Sequence, residues 1–102
     1  MITHVVCFRF RDGIGWDDPR ASAAERITRG HPQHVPQILS WTVGRNVTDR
    51  PTGYDFAVVA TFADLAALEA YQQHPDHRRG VRAWRELSTW VVVDLEASPV
   101  DG

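Results

Sequence analysis

Two histidines and a tyrosine stand among neighbours that do not explain them. His4 lies inside an apolar stretch, Ile2-Thr3-His4-Val5-Val6-Cys7-Phe8, and His77 closes the compact run Tyr71-Gln72-Gln73-His74-Pro75-Asp76-His77. Imidazole is the side chain whose charge switches most easily near neutral pH. Two imidazoles and a phenol in apolar surroundings point to proton transfer. Asp94 is a fourth candidate. It interrupts the apolar run Trp90-Val91-Val92-Val93, where a carboxylate needs a partner. A histidine base needs its far ring nitrogen held, commonly by a carboxylate. The sequence therefore predicts that Asp94 orients His77 as a general base, with Tyr71 in the same compact run. The competing reading pairs Asp94 with an arginine such as Arg9.

Each of these residues also has a structural reading. His77 beside Asp76 suits an exposed helix start. His4 suits a core histidine bonded to a backbone carbonyl, and Tyr71 a core aromatic with its hydroxyl at the edge. His74 precedes Pro75 and suits either solvent or the cap of the next helix. His74 and His77 are three apart, but no third ligand has a fixed position, so no metal site is expected. His31 and His34 repeat that spacing across Pro32 and read as surface groups. Arg78, Arg82 and Arg85 share one helical face, which suits a solvated stripe or a hold on a carboxylate or thioester phosphate. Cys7 has no charge beside it to activate a thiol and reads as a small core or interface residue.

Composition narrows the classes. The 102 residues suit one domain, and a net charge of −2 leaves no electrostatic footprint for nucleic acid or an anionic membrane. All 11 basic residues are arginine, which removes Schiff-base chemistry and pyridoxal-phosphate attachment from this chain. Gly13-Ile14-Gly15 runs into Trp16-Asp17-Asp18 and completes neither a phosphate loop nor a dinucleotide fingerprint. No apolar run approaches the ~20 residues of a membrane span, and no basic leader precedes Ile2. The expectation is a cytoplasmic protein with no cofactor and no metal.

The elements that must position these groups follow from hydrophobic period. Residues 2–10 alternate, with Ile2, His4, Val6, Phe8 and Phe10 on one side, hence a strand. Asp17-Asp18-Pro19 opens a helix carrying Ala21, Ala24, Ile27 and Thr28, and Gly30 and Pro32 predict a break or kink. Ile38–Val47 and Tyr54–Phe62 read as strands. Asp64 caps a helix from Leu65 to about Gln73. Pro75 starts another, which carries His77, Val81, Trp84 and Leu87. Residues 89–96 form the last strand. The order β-α-β-β-α-α-β favours a ferredoxin-like α+β unit, an antiparallel sheet of four strands with helices on one face. Alternation of the strands, with Trp84 from the last helix, then places Val6, Phe8, Phe56, Val58 and Trp84 as walls of a pocket between sheet and helices. It also turns Val5, Cys7, Ala57, Val59, Val91 and Val93 outward. A patch so apolar predicts a second copy of the sheet as its cover, giving a homodimer.

Six segments together resemble the stress-responsive α/β-barrel (Dabb, dimeric α+β barrel) family. They are Ile2-Thr3-His4-Val5-Val6-x-Phe8-Arg9-Phe10, Val35-Pro36-x-Ile38, Gly44-Arg45-Asn46, Tyr54-Asp55-Phe56-Ala57, Tyr71-x-x-His74-Pro75-x-His77 and Val92-Val93-Asp94-Leu95-Glu96. The resemblance covers residues 1–97, which implies one domain there; residues 98–102, at the chain end, read as a flexible tail. It implies a homodimer whose two sheets face each other. Functionally understood relatives are polyketide cyclases similar to olivetolic acid cyclase, which close an aromatic ring by aldol chemistry without a cofactor. By that resemblance His77 is the base, Tyr71 holds the substrate carbonyl and His4 lines the same cavity. Phe56 stands where the plant cyclase has a further pocket histidine.

Two classes of function follow. One is a cofactor-free cyclase or lyase acting on a polyketide-like small molecule. The other is a non-catalytic stress-responsive dimer that binds a hydrophobic ligand. A cofactor-free monooxygenase is the weaker third, since other dimeric α+β barrels do such chemistry.

Overall fold

The computed structural model describes residues 1–96, so the tail expected over 98–102 lies outside the described residues. In chain order the elements are β1 (Ile2–Phe10), α1 (Pro19–His34), β2 (Ser40–Arg45), β3 (Phe56–Phe62), α2 (Leu65–Gln73), α3 (Pro75–Arg85) and β4 (Ser88–Glu96). The four strands form one antiparallel sheet in the order β2-β3-β1-β4. The fold is the expected ferredoxin-like α+β unit. Among the described residues no helix is long and apolar enough to cross a membrane.

The helix starts carry the sequence signals that predict them. Asp18 accepts the Arg20 amide at 2.9 Å ahead of Pro19, and Asp64 accepts the Ala67 amide at 2.8 Å. Helix α1 departs from expectation, since it runs through Gly30 and Pro32 to His34. Pro32 removes only one amide donor in the last turn, and the turn still closes through the Val35 amide on the His31 carbonyl at 2.9 Å. Burial of both His31 and Val35 on the same side holds that turn against the sheet. Strands β2 and β3 are shorter than expected. The Ile38 amide turns back to the Val35 carbonyl, and Asp55 spends its carboxylate on the Phe10 amide at 2.8 Å.

The core lies between the helices and one sheet face. Phe8 stacks on Trp84 with ring centroids 4.6 Å apart, and Phe56 stacks on Trp84 at 5.3 Å. Trp84 is fixed by its Nε1–H, which donates to Thr28 Oγ1 at 2.8 Å, while that hydroxyl donates to the Ala24 carbonyl at 2.9 Å. Helices α1 and α3 are thereby tied at a buried point. The opposite sheet face is open. Val59, Val91 and Val93 are 40%, 53% and 57% exposed, beside half-buried Val5, Cys7 and Ala57.

Candidate functional site

Period two and register place the first pair. His4 lies directly opposite Asp94 across the β1–β4 ladder, so both side chains rise on the helix-facing side. The Asp94 carboxylate bonds His4 Nδ1, and the His4 ring lies edge-on to Tyr71 with centroids 5.7 Å apart. The predicted Asp94–His77 pair is therefore corrected: the neighbouring strand supplies a nearer imidazole. The Arg9 alternative fails for the same reason.

The start of α3 places the second group. His74 separates α2 from α3, and its Nδ1 accepts the Asp76 amide at 3.0 Å, with Pro75 at the first helical position. One turn on, His77 is half-buried and its Nδ1–H donates to the Gln72 carbonyl at 3.0 Å. A carbonyl only accepts, so in the neutral ring the lone pair is on Nε2. The His77 ring lies 4.4 Å from Tyr71, centroid to centroid. Burial pushes the His77 imidazolium below its ordinary pKa; the Gln72 carbonyl opposes this, and neighbouring His31, His4 and Arg78 add to it. The ring is thus held neutral at physiological pH.

Helix α1 adds a group that the sequence reading places on the surface. His31 is 3% exposed, and its Nδ1 bonds Asp76 Oδ2 at 2.6 Å. A carboxylate accepts, so this ring too presents a bare Nε2. Burial lowers the His31 pKa against the opposing pull of Asp76. Burial alone would raise the Asp76 pKa, but its bonds to His31 and Arg79 outweigh that and hold the carboxyl below its ordinary value. His34, the other member of the pair, is exposed as expected. The signal for His31 was its spacing: Ala21, Ala24, Thr28 and His31 continue one helical stripe. The expected break at Gly30 and Pro32 cut that stripe short.

These groups meet at a cavity between sheet and helices. It is lined by Val6, Phe8, Val58, Trp84 and Trp90 on its apolar sides, with Thr28, His31, Tyr71 and His77 as its polar lining. Its space for the centre of a water-sized sphere is about 50 Å³. One water needs roughly 10–15 Å³ by the same measure. Phe56 is not in this lining; it is packed against Trp84 as core. His4 is also absent from the lining and stands behind Tyr71. The Tyr71 hydroxyl has no hydrogen-bond partner among the described residues, although the side chain is only 3% exposed. Burial, with the Asp94 charge added, pushes its pKa up, so it remains a proton donor. Three polar atoms are then uncommitted in an apolar box: Tyr71 Oη, His77 Nε2 and His31 Nε2. No group of three or more His, Cys, Asp or Glu among the described residues is placed to hold a metal ion.

A four-stranded antiparallel sheet with helices on one face, enclosing a small imidazole–phenol cavity, defines the class as a ferredoxin-like α+β domain. Residues 2–97 match the Stress Responsive A/B Barrel Domain, Dabb, and the chain belongs to that family. An uncharacterised protein of Streptomyces coelicolor is 41% identical over 96 residues, covering 94% of this chain and 99% of its own. A dimeric ferredoxin-like protein of unknown function from Thermobifida fusca superposes with TM-score 0.82 at 27% identity, covering 94% of this chain and 90% of its own. A hydroxynitrile lyase from Passiflora edulis has the same fold at TM-score 0.82 and 15% identity, covering 99% and 96% of the two chains.

Proposed function

We propose that this protein is a homodimeric, cofactor-free lyase or cyclase that moves a proton at carbon beside a carbonyl. The observation that carries the reading is the set of three uncommitted polar atoms in one apolar cavity. His77 Nε2 takes the proton. Tyr71 donates to the carbonyl oxygen as it becomes an enolate. His31, backed by Asp76, is a second imidazole within reach of the same space, its ring centroid 6.1 Å from that of His77. An acid and a base on one enclosed substrate suit aldol closure and its reverse, carbon–carbon cleavage. The His4–Asp94 pair acts through Tyr71 as a support for its ring. The cavity encloses only a small reacting end, so a linear polyketide would lie largely outside it.

The dimer rests on the open valine face, and the Thermobifida fusca relative is described as dimeric. The existence of a hydroxynitrile lyase on this fold is compatible with proton transfer, although its likeness extends to the fold alone.

The test is deuterium uptake from D2O into butanone, followed by proton NMR. Wild type should exceed an equal concentration of free imidazole. His77→Gln should lower the enzymatic rate by about 10²- to 10⁴-fold, and Tyr71→Phe by about 10²-fold. Exchange no faster than free imidazole would overturn the reading.

A further inference from the structure

Beside the cavity runs a surface groove of about 430 Å³, lined by Gln72, His77, Arg78, Val81, Arg82 and Arg85. His77 and Val81 belong to both, so one histidine has the cavity on one side and the groove on the other. Among the described residues, Arg78, Arg82 and Arg85 form no salt bridge, whereas Arg79 on the next face pairs with Asp76 at 3.1 Å. Arg11 adds a further cation at the same end, donating to the Arg85 carbonyl at 3.0 Å.

The helix dipole accounts for part of this stripe. Arg82 and Arg85 lie in the last turn of α3, where cations are favourable. Arg78 does not fit that account. It lies near the N-terminal end, where a cation opposes the dipole, and it also disfavours protonation of His77. Unpaired guanidinium groups repel one another along a shared face, and each presents a fork suited to a carboxylate or phosphate.

We propose that this groove is an oxyanion subsite, and that the substrate carries a carboxylate or phosphate on a tail leading out of the cavity. The inference rests on the cavity as the reacting site, and it names the class of molecule: a carbonyl compound with an anionic tail. The small volume of the cavity and the adjoining cationic groove agree on that division. The carbonyl end enters past His77 and Val81, and the charged end stays at the surface.

The probes are 4-oxopentanoate and 6-oxoheptanoate, their methyl esters, and the phosphate with the same methyl-ketone end. Binding is read by tryptophan fluorescence, since Trp84 and Trp90 line the cavity. The best acid should bind about tenfold more tightly than its ester. Raising salt from about 20 mM to about 500 mM should close that gap. Replacing all three arginines (Arg78→Gln, Arg82→Gln, Arg85→Gln) should remove the gap and leave ester binding unchanged. Tighter binding of the phosphate than of either acid would assign the tail as phosphate, and the reverse order as carboxylate; both support the subsite. Acid and ester binding alike, or neither binding, would overturn it, as would a gap that survives in the triple variant. Loss of butanone exchange with the gap intact would sink the proton-transfer reading and leave the groove standing.

Discussion

Gly80→Ala tests whether His31 is held as rigidly as its surroundings imply. A Cβ built on Gly80 falls 2.7 Å from His31 Nε2 and 3.0 Å from its Cε1, with Ile27 Cγ2 at 3.7 Å. The ring has little freedom to move, because its other nitrogen is bonded to Asp76 at 2.6 Å and the side chain is buried. In an unconstrained helix interior, alanine is favoured over glycine by about 1 kcal/mol. Overpacking a tight site costs about 1–3 kcal/mol. The second effect wins, and Gly80→Ala should destabilise wild type by about 1 kcal/mol. In a His31→Ala background the two close ring atoms are gone, and the nearest remaining one of the three is Ile27 Cγ2 at an ordinary contact distance of 3.7 Å. The same substitution should then stabilise, by about 1 kcal/mol. The double-mutant cycle reads the sign reversal directly, as a coupling of about 2 kcal/mol. Urea unfolding at fixed protein concentration, followed by tryptophan fluorescence, measures all four proteins. If Gly80→Ala stabilises both backgrounds equally, His31 does not occupy that gap and its place in the site is wrong.

Acid should destabilise the fold earlier than carboxylate titration alone would. His31 and His77 both have folded pKa values below the ordinary 6.5, so below that pH the unfolded chain binds protons the native state does not. Their effect is absent above about pH 6.5 and grows as pH falls; Asp76, with its own pKa lowered, extends the loss to more acidic pH. The thermal midpoint should therefore fall between about pH 7.5 and about pH 5, and a flat profile would contradict the buried neutral rings. Val59→Asp places a carboxylate on the open face and should convert a sedimenting dimer into monomer; an unchanged sedimentation coefficient would move the interface elsewhere.

Element order, sheet face and helix starts were legible because they depend on local signals. Asp18, Asp64 and Pro75 mark three helix starts, and the alternation in β1 assigns both faces of the sheet. Pairing across the molecule was not legible to the same degree. Alternation puts His4 and Asp94 on the helix side of the sheet, and helical spacing turns Tyr71 of α2 inward. Which imidazole meets Asp94 depends on the β1–β4 register, and that register sets His4 opposite Asp94. His31 was missed for another reason. Pro32 is a sound breaker signal in a helix interior, but it sits in the closing turn of α1, where it removes one amide donor. Phe56 failed as a wall because alternation gives a face and does not say whether a side chain ends at a void or in packing.

Strand β1 is one residue thick, and its two sides meet different worlds. His4, Val6 and Phe8 face the helices and Val5 and Cys7 face away, with a single peptide unit between consecutive neighbours. A stepwise scan along this strand would therefore alternate in phenotype, even positions changing the interior and odd positions changing the proposed dimer face. Mutations fixed for one trait leave the other nearly untouched. A short segment of chain can thus accumulate changes in chemistry while its assembly stays constant.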